Sequence, residues 1–180
     1  MAHQDPKQEI INKLTRLFLP ATQKIPAHTT GEERKSHTLQ FLKERSIPGR
    51  RVYIVAVEDA QEHTMHFTCY VEQDSHGNWQ FRGAAGDGMM GSHPGPVFER
   101  AWANLEGGGM PDHFYAGGVV ANHEHNVARV RLSTKNGTTI EDTVEDGMVL
   151  FLTDQRVDLP IEAELFTADG QLIYSHKVLS

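Results

Sequence analysis

Val127-Ala128-Arg129-Val130-Arg131-Leu132, followed by Asn136-Gly137 and a second short run Thr138–Val144, is the stretch whose reading decides the fold class. An Asx-Gly dipeptide readily supplies the positive φ that a tight hairpin needs, so two short runs flanking one read as paired antiparallel strands. The same signal recurs at Asp146-Gly147 and Asp169-Gly170. Around these turns the last third of the chain offers six strand candidates: Phe114–Ala121, Val127–Ser133, Thr138–Val144, Met148–Leu152, Ile161–Thr167 and Leu172–Val178. Short strands at this spacing predict an antiparallel β-sandwich, and the uneven spacing of the turns marks repeated hairpins without a sequence repeat.

Working toward the N-terminus, Val52-Tyr53-Ile54-Val55-Ala56-Val57 is a continuous apolar run of strand length, suited to the centre of a sheet. Met65, Phe67, Cys69 and Val71 alternate in the next segment, Asp74-Ser75-His76-Gly77-Asn78 has turn chemistry, and Trp79-Gln80-Phe81 returns. These three segments predict an antiparallel meander. Before residue 50 the period changes to helical. Asp5 can cap a helix, Pro6 suits its first position, Gln8 completes a capping box, and Ile10, Ile11, Leu14, Leu17 and Phe18 form an apolar stripe ended by Pro20. Thr30-Gly31-Glu32-Glu33 predicts a second helix over about 31–45 with Leu39, Phe41 and Leu42 as its contacts, and 96–105 reads as a third, short helix closed by Gly107-Gly108-Gly109. The expectation is therefore a mainly β, α+β protein: a helical segment over 1–49 and an antiparallel β domain over 50–180.

Residues 127–132, the Asx-Gly turns and Glu164-Leu165-Phe166-Thr167-Ala168-Asp169-Gly170 together resemble the immunoglobulin-like β-sandwich modules of uncharacterised bacterial proteins, over about 114–180. The Cys…Trp…Cys core of antibody domains is absent. The resemblance implies a fold and carries no catalytic residue across.

Composition narrows the function classes. The formal charge is −7 and unevenly placed: nine Lys/Arg against five Asp/Glu over 1–50, eight against nineteen over 51–180. An acidic bulk argues against general nucleic-acid binding, because phosphates are repelled over most of the surface. The N-terminus has no signal-peptide pattern and no apolar run has membrane-spanning length, so a cytoplasmic location and no membrane span are expected. The single cysteine, Cys69, excludes an intramolecular disulfide and reads as a buried strand residue.

Candidate chemistry is dispersed. His123-Glu124-His125 would place two imidazoles on one face of a strand, with His113 or His93 as a third metal ligand. Yet Asn122–Asn126 is a polar run between apolar strands, which reads as a hairpin loop. The glycine-rich stretch 83–95 lacks the Lys-Ser/Thr pair of a phosphate loop and reads as a connection, though such a loop can line a ligand pocket, with Asp87, Ser92 and His93 as its polar candidates. The carboxylate pairs Glu141-Asp142 and Glu145-Asp146 read as solvated turn residues. Trp79, Trp102, Phe114 and Tyr115 would be the aromatic set of a sugar-stacking platform, the two tryptophans being better suited to core packing. The reading that follows is a non-enzymatic binding or assembly protein with no cofactor. Its rivals are a metal-dependent hydrolase or isomerase using His113, His123 and His125, and a ligand-binding module with a pocket under 83–95. The helix stripe needs a cover, either its own sheet or a partner chain in a homodimer.

Overall fold

The computed structural model describes residues 5–18, 38–58, 64–87, 101–110, 112–121 and 126–180. One helix, α1 (Pro6–Phe18), precedes eleven strands: β1 (Thr38–Ile47), β2 (Arg50–Glu58), β3 (Thr64–Gln73), β4 (Trp79–Asp87), β5 (Trp102–Met110), β6 (His113–Ala121), β7 (Arg129–Thr134), β8 (Thr139–Thr143), β9 (Met148–Thr153), β10 (Ile161–Phe166) and β11 (Leu172–Leu179). They form sheet A in the order β1-β2-β3-β4, sheet B in the order β5-β6-β9, and sheet C in the order β11-β10-β7-β8. Every pairing among these strands is antiparallel. The protein is thus mainly β with a single described helix, and β2, β3 and β4, three of the four strands of sheet A, form the expected meander.

Strand pleating sorts the apolar residues into three interfaces. Because successive side chains point to opposite faces, β2 sends Tyr53, Val55 and Val57 to one side of sheet A and Val52 and Ile54 to the other. The first set meets Cys69, Val71, Trp79 and the helix residues Ile10 and Leu14. The second meets Tyr115, Met148 and Leu150 of sheet B. The other face of sheet B, with Leu105, Phe114, Ala116, Val149 and Phe151, packs on Val130, Leu132, Ile161, Ala163 and Leu165 of sheet C. The order of layers is α1, A, B, C. Sheet B is covered on both faces, which is why β6 is apolar nearly throughout.

The helix begins as its sequence predicts: Asp5 Oδ1 accepts from the backbone N–H of Lys7 at 3.0 Å. Gln8 does not complete a capping box; its amide donates to Asn12 Oδ1 at 3.0 Å. Ile10 and Leu14 are buried on the chain's own sheet A, while Leu17 is 60% exposed.

Three expectations are corrected. The segment expected as a second helix is described from residue 38, and there it is β1, paired with β2 from Thr38↔Glu58 to Ile47↔Arg50. Leu39 and Phe41 suit a strand as well as a helix, and pairing with the strongly apolar β2 decides the matter. The sheet therefore begins at 38, ahead of residue 50. Similarly, the third expected helix is strand from Trp102, and Gly107-Gly108-Gly109 lie inside β5 instead of ending a helix. Residues 83–87 of the glycine-rich stretch belong to β4, while 88–95 fall outside the described residues. Of the turn signals, Asn136-Gly137 and Asp169-Gly170 do close hairpins, with Gly137 and Gly170 at φ 84° and 88°. Asp146-Gly147, with φ of 50° and 73°, also closes a tight turn, across which Glu145 and Met148 exchange backbone hydrogen bonds of 3.1 and 2.9 Å, and this turn carries the chain from sheet C to sheet B.

Candidate functional site

The interface between sheets A and B changes character across its width. Along β2 and β9 it is apolar, with Val52, Ile54, Met148 and Leu150. Toward β3, β5 and β6 it becomes polar and small: His66 and Thr68, then Asn104 and Glu106, with Ala85, Gly86, Gly117 and Gly118 between them. The spacing of two places His66, Thr68 and Tyr70 in one row of β3. A Cβ on Gly117 would come within 2.7 Å of Leu150 Cδ1 and 2.9 Å of Thr68 Oγ1, so the two sheets approach here only because that position has no side chain. A cleft of about 40 Å³ remains between the sheets, bounded by these residues. That volume holds a few water molecules or the polar end of a small ligand, and is far too small for a nucleotide.

Buried polar atoms normally find partners. Among the described residues four do not: His66 Nδ1, Tyr70 Oη, Arg129 Nε and His176 Nδ1. Two of these lie in the same row of β3. Burial holds the His66 imidazole below its ordinary pKa, which keeps the ring neutral near pH 7. Tyr70 is 2% exposed, and burial pushes its phenol up to about 12. Its ring is stacked between His113 and Tyr115, with centroids 4.8 Å away on each side. Beyond the stack, Arg50 donates from Nε to Glu72 Oε1 at 3.0 Å and from Nη2 to Asp112 Oδ2 at 2.6 Å. Asp112 Oδ1 lies 3.0 Å from His113 Nδ1. The His113 contact and then Arg50 hold the Asp112 carboxyl below the usual carboxylate range. Arg50, Glu72, Asp112 and His113 form a hydrogen-bonded network at this end of the interface, while Tyr70 Oη beside it and His66 Nδ1 at the other end of the row keep unfilled capacity.

The residues expected to carry chemistry are placed as follows. His113 is buried, stacked on Tyr70 and paired with Asp112. No group of three His, Cys, Asp or Glu among the described residues is disposed to hold a metal ion. His123 and His125 lie outside the described residues, as do Ser92 and His93. Asp87 closes β4 opposite His66 in the register, next to the cleft-lining Gly86. The proposed aromatic platform is dispersed, because pleating sends its members to different interfaces: Trp79 toward α1, Phe114 toward sheet C and Tyr115 toward sheet A. Cys69 is fully buried with its thiol pushed up to about 12 by burial, as expected of a core cysteine. Asp142, expected as a solvated turn residue, is buried: Lys43 Nζ lies 2.8 Å from its Oδ2, and Arg45 pairs with its Oδ1.

Sequence reasoning passed over His66, Thr68, Asn104 and Glu106. Polar residues at i and i+2, on the face of a strand whose other face is fully apolar, were the signal available for the β3 pair.

At the outer edge of sheets B and C, His176 is stacked on Trp102 with centroids 3.8 Å apart, and its Nε2 lies 2.9 Å from the Ala103 carbonyl. Burial lowers its pKa despite that carbonyl, as it does for His66. A histidine whose pKa is lower folded than unfolded gives stability that is present above the unfolded value, about 6.5, and lost as pH falls toward the folded value. The melting temperature is therefore expected to decline as pH drops below about 6.5. His176→Gln is expected to flatten that decline; an equal slope in the variant assigns it to other groups.

No family model matches this chain, and comparisons with curated proteins and with solved structures return no match.

Proposed function

We propose that this protein is a non-enzymatic binding module that takes the polar end of a small molecule into the cleft between sheets A and B. The observation that supports it is His66, a residue bordering a cleft with glycine and alanine in its walls, whose Nδ1 is buried without a partner among the described residues. Leaving such an atom unsatisfied costs about 1–3 kcal/mol. A protein that retains it gains that amount back whenever a ligand supplies the missing partner. A neutral imidazole beside Thr68 and Asn104 suits an uncharged donor–acceptor group such as an amide, an alcohol or a protonated acid. Ala85 and Gly86 bring the start of the glycine-rich stretch to the site.

The test is a titration of isotopically labelled protein with a panel of small amides, alcohols and carboxylic acids, followed by NMR. Binding is expected to move the His66 ring resonances and the amides of 66–68, 85–86, 104–106 and 117–119. His66→Phe should weaken the affinity about tenfold, the worth of one hydrogen bond, and Ala85→Phe should block it. Shifts confined to other surfaces, or affinity unchanged in both variants, would end this reading.

A further inference from the structure

We propose that Lys43 and Asp142 condense to a covalent amide that cross-links β1 to β8. Lys43 is 7% exposed and Asp142 5%. The ammonium lies 2.8 Å from Asp142 Oδ2 and 3.2 Å from Glu145 Oε2, and it donates to the carbonyls of Thr143 at 2.7 Å and Met148 at 3.3 Å. Asp142 Oδ1 is paired with Arg45, and its Oδ2 accepts from the Leu150 N–H at 2.7 Å. The chain arrives at this geometry through a bulge. Phe41 faces Val55 and Lys43 faces Ile54 in the register, so Leu42 is unpaired, and Leu42 and Lys43 both turn toward sheet B.

Three features make this an assembled reaction site as well as an ion pair. The two reacting groups are fixed in contact, and well-oriented intramolecular reactions reach effective molarities on the order of 10⁵–10⁸ M. Next, both charges are out of water, so a buried pair carries a desolvation penalty that a neutral amide does not. Finally, Glu145 touches the same ammonium while its side chain is 60% exposed, placing one proton carrier between the buried pair and solvent.

The step balances without a co-reactant. Glu145 takes a proton from the ammonium and passes it to Oδ2, leaving a neutral amine and a neutral acid. The nitrogen lone pair adds to Cγ, forming the Nζ–Cγ bond, and the charge that builds on Oδ1 faces the Arg45 guanidinium. Glu145 then carries a second proton from the nitrogen to Oδ2, the Cγ–Oδ2 bond breaks, and water leaves. One ammonium and one carboxylate become one amide and one water, with Glu145 returned as a carboxylate.

The experiment is the mass of the purified full chain under denaturing conditions. It should fall about 18 Da below the sequence mass, the loss of one water. Trypsin does not cut after an amidated lysine, so residues 36–45 should be recovered joined to residues 136–156. Lys43→Arg should return the chain to its full sequence mass, and Glu145→Gln should lower the condensed fraction at least severalfold. A parent chain at its full sequence mass, cut after Lys43, would overturn the proposal. So would a water loss confined to residues 136–156 without a joined peptide, which is the signature of Asp146 cyclising onto Gly147.

Discussion

Asp142→Ala is expected to melt on the order of 10 °C below the parent chain, following a loss of about 3–5 kcal/mol. Removing this carboxylate leaves the Lys43 ammonium, whose side chain is 4% exposed, with two carbonyls and only the exposed Glu145 to balance its charge. The Leu150 N–H loses its acceptor in the same step. The damage is not local. Lys43 is on sheet A, Asp142 on sheet C, and Met148 and Leu150 on sheet B, so one carboxylate ties together strands of all three sheets. Loss of a covalent link at the same position would add to the deficit. Asp158→Ala provides the contrast. Its partner Arg156 is 73% exposed at the side chain, and exposed pairs of this kind contribute about 0–1 kcal/mol. Parallel thermal melts of the two variants check the assignment, and equal melting temperatures would refute it.

Gly118→Ala is expected to abolish cooperative folding, or to cost more than about 4 kcal/mol where folding survives. A Cβ at Gly118 would stand 1.9 Å from the Asn104 carbonyl oxygen and 3.1 Å from Leu105 Cα, both on the facing strand β5. Gly107 is its counterpart: a Cβ there would stand 2.1 Å from the Tyr115 carbonyl oxygen and 2.7 Å from Ala116 Cα on β6. Each strand thus approaches the other's backbone at a position that admits only hydrogen. Sheet B cannot move to accommodate the methyl, because both its faces are covered. The informative control is Gly77→Ala, where φ is +80° and nothing lies within 4 Å of the added Cβ. There the cost is only the left-handed backbone, about 1–2 kcal/mol. Denaturant unfolding of the two variants separates steric conflict from backbone preference; similar midpoints would contradict the close approach.

The same glycines explain why β5 was illegible. Gly107-Gly108-Gly109 reads as a terminator in sequence, since glycine is a poor member of either helix or strand by propensity. In the folded chain Gly108 is covered by its cross-strand partner Tyr115, whose hydroxyl would lie 3.0 Å from an added Cβ. An aromatic side chain laid over a strand glycine supplies the packing that the glycine lacks. That compensation comes from another strand and leaves no trace in the local pattern.

By itself the sequence determined what depends on neighbours along the chain. The β2 run, the β2–β3–β4 meander, the hairpins at Asn136-Gly137 and Asp169-Gly170, the cap at Asp5 and the burial of Cys69 all follow from period-two patterning, turn chemistry or capping within about ten residues. Tertiary structure decided everything that required distant strands to meet. Leu39-Gln40-Phe41-Leu42 is compatible with helix or strand, and β2 made it a strand. Lys43 and Asp142 each look like solvated surface charges until three sheets close over them. His66 and Glu106 line one cleft only because β3 and β5 lie on facing sheets. The physical reason is common to all three. Local sequence sets the period and the turns, whereas burial and charge pairing are properties of surfaces that exist only after the sheets have stacked.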